Sequence, residues 1–185
     1  MMPFPGGIDA NANATLVFSL VAAVIYAFTL NMPPTLARSA AKTLAVSMLA
    51  MLAFMQGGPL LLVAALALSA VGDAFLSRDG ETAFLGGLAS FLAAHILYVP
   101  LFLQSGGGLG LLGADAWRGA IALAMAAFGI VMLAALWRRV GPALRLPIGV
   151  YVAAILAMGI SALTTGNLWV IGGAISPWIR AQMPK

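Results

Sequence analysis

The stretch SAVGDAFLSRDGETAFLGGLASFLAAHILYV, residues 69–99, holds three of the chain's five acidic residues and its single histidine. Asp79 and Glu81 sit with Arg78 and Gly80 in a short polar turn, where charge is expected. Asp73 and His95 are each embedded among residues suited to hydrocarbon. A carboxylate costs about 2.5–3.5 kcal/mol at the centre of a membrane helix and less toward its end, so Asp73 needs a partner or a task. Two readings stand side by side. In one, Asp73 pairs with Lys42 and the pair is structural. In the other, a carboxyl group held away from water keeps its proton and can donate it near neutrality. His95 has a plain reading too, as a packing residue bonded to a neighbouring helix.

The elements that carry these residues follow from composition. Of 185 residues, 63% are hydrophobic and 8% charged, against about 25% charged in soluble domains. Apolar runs of roughly 17–25 residues, long enough to cross a bilayer, recur along the chain. Strands of about ten alternating residues, the mark of a membrane β-barrel, are absent from the sequence. The fold class expected is all-α, a polytopic helical membrane bundle forming a single transmembrane domain over residues 1–185. The spans expected are 14–31, 39–56, 59–77, 82–104, 117–138, 146–164 and 168–180. Trp117 and Trp137 bracket the fifth span, 20 residues or roughly 30 Å apart, as interfacial anchors would. Residues 1–13 lack a basic segment and run straight into the first span, so no cleavable signal peptide is expected.

Several chemistries are excluded. The net charge of +4 is scattered over loops without a dense basic face, which argues against nucleic acid. The chain has no cysteine, which removes disulfides, thiol catalysis and thiolate-bound zinc. One histidine and few carboxylates argue against a metal site, and no cofactor is expected. The partner expected from composition is the membrane, with the oligomeric state left open. Arg38, Lys42, Arg78, Arg138, Arg139 and Arg145 fall in or beside the loops after spans one, three and five, and only Arg118 falls on the other side. By the positive-inside bias the N-terminus is outside. A bacterial inner (plasma) membrane is the expected location.

Depth then sorts the polar residues. Asp73 lies roughly 7 Å inside the boundary marked by Arg78, and Tyr151 lies at a similar depth on span six. Lys42 enters near the same edge on span two, with a stem long enough to turn inward or snorkel outward. His95 is about 18 Å along span four, close to the midplane. Phe84, Gly87, Phe91, His95, Tyr98 and Phe102 form one stripe of span four. Gly86, Ser90 and Ala94 form a ladder of small residues, as do Gly149, Ala153, Ala157 and Ser161 on span six, and both suit close helix packing.

These residues resemble the YhhN family, whose characterised members are lysoplasmalogenases. "GDAFL" at 72–76 is similar to the family's Gly-Asp motif, and "FLGGLASFLAAHILYVPLF" at 84–102 to its Phe, Gly, Ala-His, Tyr and Phe pattern. "PIGVYVAAILAM" at 147–158 resembles its Pro, Tyr and Met helix. "AKTL" at 41–44 resembles its Lys-Pro-Leu, with Thr43 in place of proline. The C-terminal stretch departs from the pattern. Arg180 and Ala181 stand where the family's Ser-Asp pair is expected, and no eighth helix follows, as in a truncated or diverged member.

The resemblance implies a lipid substrate and hydrolysis of the vinyl-ether bond of a lysoplasmalogen to a fatty aldehyde and a glycerophospho-alcohol. It implies Asp73 as the acid, Tyr151 positioning water or substrate, His95 as a deeper supporting group or base, and Lys42 or Arg78 holding the phosphate. Loss of the second aspartate is expected to leave such an enzyme weak or inactive. A proton-coupled transporter and a lipid-binding protein without turnover would keep the same intramembrane residues.

Overall fold

In the computed structural model, residues 3–5, 10–31, 35–167 and 170 are described. Seven α-helices and one 3₁₀ turn account for the regular structure among them, with no strand. The helices are α1 (Asn11–Phe28), α2 (Leu36–Met55), α3 (Leu60–Phe75), α4 (Glu81–Ser105), α5 (Leu111–Ala114), α6 (Ala116–Trp137) and α7 (Pro142–Ala162), and the turn is Leu163–Thr165. Five helical stretches are long and apolar enough to cross a membrane: α1, α2, α4, α6 and Leu144–Thr165. With α3 a shorter apolar helix beside them, the chain is a helical membrane protein.

Helix ends lie where local chemistry puts them, which shifts several expected boundaries. The first helix starts at Asn11, not residue 14. There Asn13 is fully buried and exchanges two hydrogen bonds with the backbone of Phe4, donating Nδ2–H to its oxygen at 2.8 Å. α2 starts at Leu36, earlier than expected, because the Thr35 hydroxyl accepts the Arg38 amide and caps the helix. α7 starts at Pro142, since proline is suited to the first helical turn. The glycine-rich segment after α4, expected as loop, contains the four-residue α5. The expected span 168–180 lies outside the described residues except for Val170.

The chain divides into two units, Met1–Leu97 and Tyr98–Lys185. In the first, α1 and α2 are joined across their seam by the Ser19 hydroxyl, which donates to the Ala45 carbonyl at 2.7 Å. Burial of Ala22, Ala41 and Ala45 lets these helices lie close. A turn through Gly57, whose φ of +66° favours glycine, returns the chain as α3. α3 and α4 then meet through glycines. A β-carbon on Gly72 would stand 2.8 Å from the Phe91 ring, and one on Gly87 would stand 2.6 Å from Leu76 and 3.2 Å from the Gly72 carbonyl oxygen. Gly86 meets the Phe75 ring in the same way. The α3–α4 seam thus takes Gly86 from the small-residue ladder and Gly87 and Phe91 from the other stripe of span four.

The second unit is organised at one end around the 3₁₀ turn. Leu163 and Thr164 are fully buried there. Arg118 donates from Nη1 to the Leu163 carbonyl at 2.6 Å, and its Nε lies 2.7 Å from Asp115. Gly107 donates its amide to the Thr164 carbonyl at 3.1 Å, and a β-carbon on Gly106 would collide with that same residue. Farther along, Gly129 of α6 receives Leu156 of α7, and Gly159 of α7 receives Met125 of α6. Arg118, which stood apart in the charge pattern, is thus a clasp on the end of α7.

Gly72→Val should lower the thermal midpoint of the protein in detergent, because Phe91 must leave its seat and overpacking costs about 1–3 kcal/mol. Gly113→Val, where a β-carbon would meet nothing within 4 Å, serves as the control and should shift the midpoint far less.

Candidate active site

Asp73 sits two residues before the end of α3 and is 5% exposed. Its Oδ1 lies 2.6 Å from Nζ of Lys42, one turn and a half into α2. The hairpin of α2 and α3 makes this meeting possible. Both residues stand near the open end of that hairpin, and the Gln56–Pro59 turn closes the other. The Lys42 side chain is 31% exposed, so its stem runs along the protein while the ammonium turns inward to the acid. The Ser77 hydroxyl donates to the Asp73 backbone carbonyl at 2.7 Å and closes the last turn of the helix.

A polar cavity of about 410 Å³ opens beside the pair, lined by Tyr26, Arg38, Ser39, Lys42, Leu76, Ser77 and Asp79. The Arg38 guanidinium stands 5.8 Å from the centre of the Tyr26 ring, a cation–π arrangement that holds a cation at the cavity wall. The lining offers two cations, two serine hydroxyls, a phenol and one carboxylate. Such a set suits the phosphate and alcohol groups of a polar lipid head, with Arg able to grip phosphate by two parallel hydrogen bonds.

The expected site residues separate in the structure. Lys42 and Asp73 are brought into contact. Arg78 does not line the polar cavity; it lines a separate hollow with Val71, Ala74 and Phe75. His95, half-buried on α4, turns Nδ1 to the Phe91 carbonyl at 2.5 Å. Phe91 itself covers Gly72, the residue before the acid. Tyr151 is half-buried on α7 in the second unit. Arg38, Ser39, Tyr26 and Ser77 escaped the sequence reading. Arg38 is one helical turn before Lys42, and that i, i+4 spacing was the available signal. Among the described residues no group of three or more His, Cys, Asp or Glu is placed to hold a metal ion.

Removing the cation should cost more stability than removing the acid. Lys42→Met leaves a buried carboxylate without its charged donor, a loss above the roughly 1–3 kcal/mol of a neutral buried group, whereas Asp73→Asn leaves a lysine that can snorkel outward. Thermal midpoints in detergent should fall most for Lys42→Met, and adding Asp73→Asn to it should recover most of that loss.

The sequence model of the YhhN family matches residues 37–177. No curated protein and no solved structure matches the chain. The matched segment carries Lys42, Asp73, His95 and Tyr151 and takes in most of the sequence, and the chain belongs to the YhhN family.

Proposed function

We propose that this protein is a lysoplasmalogenase-like hydrolase, cleaving the vinyl-ether bond of a lysoplasmalogen to a fatty aldehyde and a glycerophospho-alcohol. The observation that carries the reading is a buried acid in contact with a lysine at the wall of a polar cavity, Asp73 against Lys42 at 2.6 Å. Membership of a family whose characterised members are lysoplasmalogenases supports it.

The chemistry needs a proton donor and no nucleophilic side chain. A proton added to the β-carbon of the vinyl ether uses the π electrons of the double bond and leaves an oxocarbenium ion at the α-carbon. Water adds to that carbon, returns a proton to the protein, and the resulting hemiacetal collapses to aldehyde and alcohol. With Asp73 buried, Lys42 and Asp73 can exchange one proton between Nζ and Oδ1, so the pair can deliver it as a neutral carboxylic acid. The carboxylate left behind faces the developing cation and stabilises it. Arg38, with Ser39, grips the phosphate, and Asp79 lines the same cavity. His95 enters as a supporting base.

Aldehyde release from a 1-alkenyl lysophospholipid by the purified chain in detergent tests this. Asp73→Asn should lower the rate about 10²–10⁴-fold, the usual worth of a positioned general acid. Arg38→Gln should raise KM with a smaller change in kcat, because it removes ground-state binding of the head. Equal aldehyde release from the wild-type chain and Asp73→Asn would exclude Asp73 from the mechanism.

A further inference from the structure

The flank of the α2–α3 hairpin carries a second hollow, unlike the polar cavity in every respect. It is an open apolar groove of about 480 Å³ whose walls run from Thr43 to Phe54 on α2 and from Val63 to Ala74 on α3. Ala50, Ala67, Ala70 and Ala74 keep it deep by being small. Each wall spans twelve residues of helix, a rise of about 16 Å from first to last. That matches one leaflet of hydrocarbon, roughly half of a 30 Å core. A packed transmembrane helix would need a groove of the full depth, so the length fits a lipid chain. The groove also has a polar end. Val71 and Ala74 are shared with the smaller hollow that contains Arg78, so the cation stands where the apolar trough ends. Arg78 is exposed and takes part in neither ion pair seen among the described residues.

We propose that this groove is a binding site for one chain of a bilayer glycerophospholipid, with the lipid phosphate held by Arg78. The site is separate from the polar cavity and stands independently of the hydrolytic reading. It gives Arg78 a role that Lys42, committed to Asp73, does not share. A chain seated there braces the two helices that carry the ion pair, since Thr43 follows Lys42 and Ala74 follows Asp73.

The test uses the full chain in phosphatidylcholine nanodiscs containing a trace of phosphatidylcholine with a mid-chain diazirine, and in a second arm a diacylglycerol carrying the same group. After irradiation, labelled peptides are mapped by mass spectrometry. The phospholipid probe should label α2 and α3 along the groove about fivefold more than the exposed face of α1, as expected for one added charge contact. Ala67→Trp, at an exposed position in the groove wall, should abolish the enrichment, and so should Ala74→Leu. Arg78→Gln should reduce it, and the diacylglycerol should show none. Asp73→Asn, which ends hydrolysis under the proposed function, should label like the wild-type chain, so the two proposals fail separately. Even labelling of all exposed helices overturns the site. So does enrichment that survives both wall variants. Equal labelling by diacylglycerol overturns the phosphate contact at Arg78.

Discussion

A carboxylate inside a hydrocarbon helix has to be answered by a cation, and the Lys42–Asp73 contact is the condition that the first half of this molecule is built to meet. Asp73 is almost wholly withdrawn from solvent, so an unpaired charge there would be severely penalised. The answering group comes from the preceding helix, which sets the register of the α2–α3 hairpin. The turn at Gly57 sets that hairpin, and Gly72 and Gly87 then allow α4 to close on the other side of α3. The pair therefore does two jobs with one geometry. It makes α3 tolerable in the membrane, and it sets a buried acid beside a polar cavity.

Hydroxyl groups follow the same economy. Ser47, Ser69 and Ser90 each donate to the backbone carbonyl four residues earlier, satisfying a polar group that lipid cannot serve. Ser19 instead donates across to α2, and that one choice converts a tolerated polar residue into a joint between helices. In the second unit Arg118 does the equivalent with a charge, spending its guanidinium on a backbone carbonyl at the end of α7 and on Asp115.

Much of this could be read from the residues alone. Apolar runs and their punctuation located six helices to within a few positions, because glycine, proline and threonine end or begin helices for local reasons. The closeness of Lys42 and Asp73 was legible as a shared depth. Depth, however, is one coordinate of three. Arg78 and Lys42 lie near one end of the same hairpin and were treated as interchangeable. Yet they border different hollows: Ser77 and Asp79 on either side of Arg78 line the polar cavity, while Arg78 lines the other. Arg38 was counted for topology and overlooked as a lining residue for the same reason: its height was known and its direction was not. The short α5 was missed because four residues of Leu-Leu-Gly-Ala have no periodicity to detect.

The length of α3 has a consequence for water. Sixteen residues make a helix of about 24 Å, some 6 Å short of a typical hydrocarbon core. A bilayer meets a short element by thinning against it or by letting the polar interface dip toward its end. Asp73 is two residues from that end, so the interface comes down to the acid without the acid having to climb out of the protein. The proposed hydrolysis would consume one water per turnover, and a locally sunken surface is a supply route that needs no channel through the bundle.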